Sequence, residues 1–208
     1  MQDDPIATDK VAQDAPKRPV LTMPADAAQA LTEAISAAKV VLEYGSGGST
    51  VLAAEATGKT VFSVESDAAW LAKMQEYFAA FPPLSTVHMH HGDIGATKAW
   101  GHPANTDSFR KWPDYAGKIW TEPHFVQPDL VLIDGRFRVA CFLATQFMTK
   151  APVTVLFDDY IDRPNYHFVE QFTKPSAMIG RMARFELKPK AIPAKKLLLV
   201  MQYFLQPA

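Results

Sequence analysis

Val40-Val41-Leu42-Glu43-Tyr44-Gly45-Ser46-Gly47-Gly48-Ser49-Thr50 decides the fold. It is a short apolar run that ends in a carboxylate, then a glycine turn, then residues able to open a helix. The run reads as a buried parallel strand. The glycines let the chain reverse and let backbone approach a bound molecule, and Ser49 or Thr50 is placed to cap the next helix. A strand, a glycine-rich turn and a helix make the nucleotide-binding corner of a doubly wound sheet.

Working outward, the pattern alternates. Pro24–Ala38 predicts an amphipathic helix, Lys39–Tyr44 the first strand and Ser49–Ala56 a helix closed by Gly58. Thr60–Glu65 is a second strand, Asp67–Ala80 a helix stopped by Pro82 and Pro83, and Thr86–His90 a third strand. Asp129–Asp134, Phe137–Met148, Val153–Phe157 and Pro164–Phe172 continue as strand, helix, strand and helix. Arg184–Leu187 and Leu197–Phe204 read as two strands with no helix between them, an antiparallel hairpin on the sheet edge. The expectation is an α/β, doubly wound, mostly parallel seven-stranded sheet with helices on both faces.

The chain has 208 residues, enough for one domain with a sizeable core. Its net charge of −1 gives no general attraction to nucleic acid. The single cysteine, Cys141, excludes an internal disulfide and reads as a core thiol. No window resembles a membrane span. Residues 1–20 are polar, with Asp3, Asp4, Asp9 and Asp14, and lack the apolar centre of a signal peptide. They read as a flexible arm, residues 21–208 as one domain, and the protein as cytoplasmic. Ile94–Gln127 is too long for an ordinary connection. It holds three of the four tryptophans and reads as an irregular excursion with its own small core, as a lid over the ligand, or as both.

The strand ends carry Glu43, Glu65, Asp93, Asp134 and the pair Asp158-Asp159. In an open parallel sheet these ends face the ligand crevice, and so many carboxylates there are costly unless paired or ligand-bound. This ordered set resembles the class I S-adenosylmethionine-dependent methyltransferases over roughly residues 39–172. The resemblance implies that Glu43, Gly45, Ser46, Gly47, Ser49 and Thr50 lie at the methionine part of the cofactor. It gives the ribose hydroxyls to Glu65, with Ser66 beside it, and the adenine amine to Asp93, with Ile94 beside it. Asp134 is placed near the methyl donor. A nicotinamide-dependent oxidoreductase would share the turn and the acid about 20 residues on, but its third glycine is Thr50 here.

Asp134, Asp158 and Asp159 also resemble the divalent-metal site of catechol-type O-methyltransferases, which implies Mg²⁺ or Ca²⁺. That family usually has Asn where this chain has Asp159, and a Lys where Arg136-Phe137-Arg138 stands. The departures favour a metal-free cluster in which Arg136 or Arg163 supplies positive charge and Asp134 or Asp158 is the general base. Asp134-Gly135-Arg136 and the Asp158–Tyr166 stretch are also similar to sugar- and polysaccharide-modifying methyltransferases. Arg136 and Arg163 then either neutralise these aspartates or pair with an anionic acceptor. His167 is a further candidate base. His88, His90 and His91 are strand and loop residues or a metal cluster, with His91 near the adenine. Trp70 is a core aromatic or a face against the adenine. The implied function is methyl transfer to an oxygen of a small-molecule or saccharide-like acceptor. A catalytically inactive cofactor-binding sensor is the alternative, and the Asn-Pro-Pro-Tyr type of motif used on base amines is absent.

Overall fold

The computed structural model describes residues 15–207, so most of the predicted N-terminal arm, residues 1–14, lies outside the described residues. The strands are β1 (Val40–Tyr44), β2 (Thr60–Glu65), β3 (Thr86–His91), β4 (Thr97–Lys98), β5 (His102–Pro103), β6 (Leu130–Ile133), β7 (Val153–Phe157), β8 (Ala177–Ile179) and β9 (Met182–Leu187). The helices are α1 (Ala25–Ala37), α2 (Gly48–Glu55), α3 (Ala68–Ala80), α4 (Trp112–Gly117), α5 (Arg138–Met148) and α6 (Leu197–Tyr203). Seven strands form one sheet in the order β3-β2-β1-β6-β7-β9-β8, and β4 and β5 pair separately. The first five of the seven run parallel, while β9 is antiparallel to β7 and to β8. The chain winds outward from β1 through β2 and β3, then crosses back to β6. The carboxyl ends of β1 and β6 are therefore the switch point of the sheet, where an open α/β fold has its crevice.

Strand residues alternate between two cores, as the two-residue period requires. Leu42, Tyr44, Phe62, Val131, Ile133, Val155 and Phe157 pack on the face covered by α4, α5 and α6. Val41, Val61, Leu130, Leu132 and Leu156 pack with Leu31 and Ile35 of α1 and Ala53 of α2. Burial on both faces is why these strands read as unbroken apolar runs. The Asp129 carboxylate fixes where β1 begins, accepting from the N–H of Lys39 (2.7 Å) and Val40 (3.0 Å).

Two elements differ from expectation. Arg184–Leu187 is a strand, but its hairpin partner is Ala177–Ile179, reached through Gly180-Arg181, and Leu197–Tyr203 is helix α6. Once β8 covers the outer edge of β9 no edge is left there for Leu197–Phe204. That segment coils instead, burying Val200 and stacking Tyr203 on Phe168 at 3.7 Å. The helix expected at Pro164–Phe172 is present as a 3₁₀ helix over Pro164–Gln171.

The excursion between β3 and β6 splits in two. Trp112, Tyr115, Ala116 and Ile119 belong to the main core, so α4 is part of the domain interior. The Tyr44 hydroxyl ties it down, donating to the Ala116 carbonyl (2.6 Å) and accepting from Trp120 Nε1 (2.8 Å). The β4–β5 hairpin, with Trp100 at its tip, lines the sheet's crevice, and Tyr115 of α4 reaches it from the core side.

The Tyr44 link gives a direct test. Tyr44→Phe should lower unfolding stability by about 1–3 kcal/mol, because the buried Ala116 carbonyl and the partly buried Trp120 N–H both lose their hydrogen bond. Urea melts should show a lower midpoint at unchanged slope. A negligible change would mean that apolar packing alone holds the excursion.

Candidate active site

The glycine turn after β1 is built around a buried carboxylate. Glu43 accepts from the hydroxyls of Ser49, Thr50 (2.5 Å) and Ser63 (2.8 Å). Thr50 in turn accepts from the Gly47 N–H (2.8 Å), and Ser46 and Ser63 share a hydroxyl contact of 2.7 Å. Burial pushes the Glu43 carboxyl up to about 7, against the three hydroxyls that favour its charged form. Glu43 is thus the hub of the turn and does not line the crevice. The same holds for Thr50, which starts the helix from inside: Gly47 is the N-cap and Thr50 caps its N–H.

Two of the turn glycines are fixed by close approach. Gly45 has φ +96°, and a Cβ there would meet Cα of Gly135 at 2.6 Å, so the turns after β1 and β6 pack backbone on backbone. A side chain at Gly48 would collide with the backbone of Val20 and Leu21. That places Pro19–Met23 as one wall of a cleft of about 830 Å³. Arg18 pairs with Glu55 beside it (2.6 Å).

The cleft collects several of the predicted residues. Gly45, Ser46, Gly47, Ser49, Glu65, Ser66, Asp134, Arg136 and Asp159 line it. Glu65 accepts from the N–H groups of Ser46 (3.1 Å) and Asp67 (2.8 Å), one on each oxygen, and burial raises its carboxyl above the ordinary value. Trp70 is a cleft residue and not a core one; its Nε1 donates to the Ser46 carbonyl (2.8 Å). Trp100, 87% exposed, and His102 come from the β4–β5 hairpin.

Asp134, Asp158 and Asp159 do converge, with ligand atoms within 4.8 Å of one another. Three arginines meet them. Arg138 is buried and spends its guanidinium on the carbonyls of Gly135 (3.0 Å), Asp158 (2.6 Å) and Asp134 (2.9 Å), on Asp134 Oδ1 (2.9 Å) and on Asp159 (3.2 Å). Arg181, from the β8–β9 turn, grips both oxygens of Asp158 (3.0 and 2.5 Å) and reaches Asp159 (3.1 Å). Arg163 pairs with Asp159 (3.0 Å). Three negative charges face three positive ones. A divalent ion taking these oxygens would have to displace a buried guanidinium, so the residues present do not fit one. Asp134 is raised above the ordinary carboxylate range by burial, with Asp158 and Asp159 adding to the rise and Arg138 opposing it.

Several expected site residues lie elsewhere. Asp93 is turned outward, accepts from the Gly95 N–H (2.9 Å) and pairs with Lys111 (2.7 Å), while Ile94 is buried in the core; neither lines the cleft. Asp158 is fully buried behind Asp159 and committed to Arg181, which removes it as a general base. His167 packs on the Tyr160 ring with Nε2 3.0 Å from the Tyr160 carbonyl, away from the cleft. His88 stacks on Phe62 (4.9 Å) beneath His124, and His91 Nε2 lies 3.3 Å from the Ser66 carbonyl outside the cleft. Among the described residues the three aspartates are the one group with metal-ligand spacing. The charge assigned to Arg136 or Arg163 comes from Arg138, Arg181 and Arg163 together. Arg181 sits in a turn that the sequence reading did not place, and Arg138 enters that reading only within the Arg136-Phe137-Arg138 stretch that stands where the metal-dependent family has Lys, with no role in the charge balance.

No protein-family model matches the chain, and no curated protein matches it. Solved structures do. A methyltransferase-like protein from Silicibacter pomeroyi is 49% identical over 91% of this chain and 99% of its own, with a TM-score of 0.89. The O-methyltransferase TomG from Streptomyces achromogenes, solved with S-adenosylmethionine, is 16% identical over 91% of this chain and 92% of its own, with a TM-score of 0.55. An O-methyltransferase from Bacillus cereus, solved with S-adenosylhomocysteine, is 15% identical over 87% of this chain and 88% of its own, with a TM-score of 0.52. The last two share the fold.

The Glu43 hub predicts a pH dependence of stability. Its folded carboxyl titrates near 7 and its unfolded one near 4.5. The folded state therefore binds more protons in that window, and stability falls as pH rises through it, by up to about 3 kcal/mol. Glu43→Gln should flatten that slope. Chemical melts at pH 5 and pH 8 check it, and equal slopes in both proteins would remove Glu43 as the cause.

Proposed function

Because the chain belongs to the Rossmann-like S-adenosylmethionine-dependent methyltransferases, we propose that its cleft transfers the cofactor's methyl group to an oxygen of a small-molecule or saccharide-like acceptor. The observation that carries this reading is the meeting, in one cleft at the switch point, of the glycine turn, Glu65 and Asp134.

The cofactor supplies a methyl already activated on a sulfonium, so the protein's main task is to position the two partners in line. Each Glu65 oxygen accepts one backbone N–H, with the Ser66 hydroxyl also within reach of Oε1 (3.4 Å), and Oε2 keeps a lone pair for a ribose hydroxyl. Ser46, Gly47 and Ser49 face the methionine part, and a Cβ at Gly47 would meet nothing within 4 Å, which leaves that side open to a ligand. Trp70 offers its ring to the adenine, a role that passes to it from Asp93. Asp134 is the one acid of the cluster that keeps an oxygen free of any ion pair: only its Oδ1 is taken, by Arg138, whereas both oxygens of Asp158 and of Asp159 are engaged by arginines. Its carboxyl, raised by burial, is a stronger base toward an acceptor hydroxyl than an ordinary carboxylate. Asp158 and Asp159 hold Arg138 and Arg181 in place and keep the local charge balanced without a metal.

S-adenosylhomocysteine should raise the melting temperature, and Glu65→Ala should weaken its binding by about 1.5–3 kcal/mol. Stabilisation by NAD in its place would sink the assignment. Turnover should persist in EDTA, fall by about 10²–10⁴-fold in Asp134→Asn, and rise with pH through a pKa above the ordinary carboxylate range. Cofactor binding without turnover on any acceptor would favour the sensor reading.

A further inference from the structure

Four arginines line the cleft, and three of them are spoken for. Arg138, Arg163 and Arg181 all contact the aspartates 134, 158 and 159. Arg136 is different. Among the described residues it makes no ion pair. Its one side-chain hydrogen bond gives an Nη1 proton to Nε2 of His102 at 2.6 Å, and its Nε is buried with no partner. That bond requires a His102 ring free to accept at Nε2, hence a neutral ring that carries its proton on Nδ1. Burial, Arg136, Lys98 and Arg163 all hold the His102 imidazole below its ordinary pKa, so His102 brings no compensating charge. Glu65, which like Arg136 lies beside Gly101, is held by backbone N–H groups and makes no ion pair with Arg136.

The cleft therefore keeps one guanidinium with unspent donors on Nε and Nη2. A partly buried cation with idle donors is costly unless something anionic meets it, and the guanidinium fork matches a carboxylate with two parallel bonds. The hairpin that carries His102 also carries Trp100, so the same element bounds this corner with an exposed aromatic face.

We infer that the methyl acceptor carries a carboxylate, and that Arg136, oriented by His102, is the residue that reads it. This rests on the cleft being a methyl-transfer site.

The test is calorimetry on the full chain saturated with S-adenosylhomocysteine. The probes are matched pairs: 3,4-dihydroxybenzoate against its carboxamide, and glucuronate against glucuronamide. In the wild type the carboxylate of at least one pair should bind about tenfold tighter than its amide. Arg136→Met should bring the two within about twofold of each other, while S-adenosylhomocysteine affinity stays within about twofold and reports an intact fold. Arg136→Lys, which keeps the charge but loses the fork, should retain part of the preference. Equal binding of acid and amide, or no binding of either carboxylate, would overturn the inference. So would an Arg136→Met protein that loses about tenfold for S-adenosylhomocysteine but nothing for 5′-methylthioadenosine, because the carboxylate would then be the cofactor's own. Failure of the wild type to bind S-adenosylhomocysteine would sink both readings at once.

Discussion

The site depends on one buried carboxylate. Glu43 is the penultimate residue of β1, just before the chain turns, out of reach of solvent, and three hydroxyls from the next helix and the next strand close on it. A buried carboxylate without donors is expensive, so Ser49, Thr50 and Ser63 are required by it as much as it is by them. Through Thr50 the same hub holds the Gly47 N–H, and through Ser63 it holds Ser46. The turn's shape is therefore set from beneath. Its upper side is left to Ser46, Gly47 and Ser49, whose chain neighbours are already locked.

A second balance holds the other half of the cleft. Three carboxylates meet where β6 and β7 end, and three arginines arrive from three elements: the start of α5, the loop after β7 and the β8–β9 turn. Local backbone there is forced. Phe137, between Arg136 and Arg138, has φ +52°, and Asp159 has φ +55°, unusual values for residues with side chains. At Phe137 the left-handed step coincides with both flanking arginines reaching the cleft. Distortion of this kind persists only where surrounding contacts over-determine it, and Arg138 alone makes five.

Much of this was legible in the sequence, and the failures have a common form. Apolar runs ending in acids marked β1, β2, β6 and β7, because parallel strands buried on both faces leave a strong signal. The same rule misled at Leu197–Phe204, where a continuous apolar run is a helix. Ala177–Ile179 was too short and too exposed to register as a strand, and missing it also hid Arg181. Glu43 and Asp93 were recognised as strand-end acids, yet side-chain partners decide which way such acids turn. Three hydroxyls draw Glu43 inward, and Lys111 draws Asp93 out. Those partners lie between 6 and 20 residues from Glu43 and 18 from Asp93, and no local pattern announces them.

The wall formed by Pro19–Met23 has a further consequence. This segment belongs to neither core strand nor helix. It rests on Gly48, packs Leu21 and Met23 against the core under α1, and has beside it the solvent-exposed Arg18–Glu55 pair, a kind of contact worth about 1 kcal/mol at most and weakened by salt. A ligand in the cleft touches both this wall and the rigid turn, so its apparent affinity is its intrinsic affinity scaled by the fraction of molecules with the wall in place. Occupancy of the cleft and docking of the wall are then one linked equilibrium. Apolar packing of Leu21 and Met23 carries most of that docking, so the strength of the cleft's grip is set in part by side chains that belong to the core.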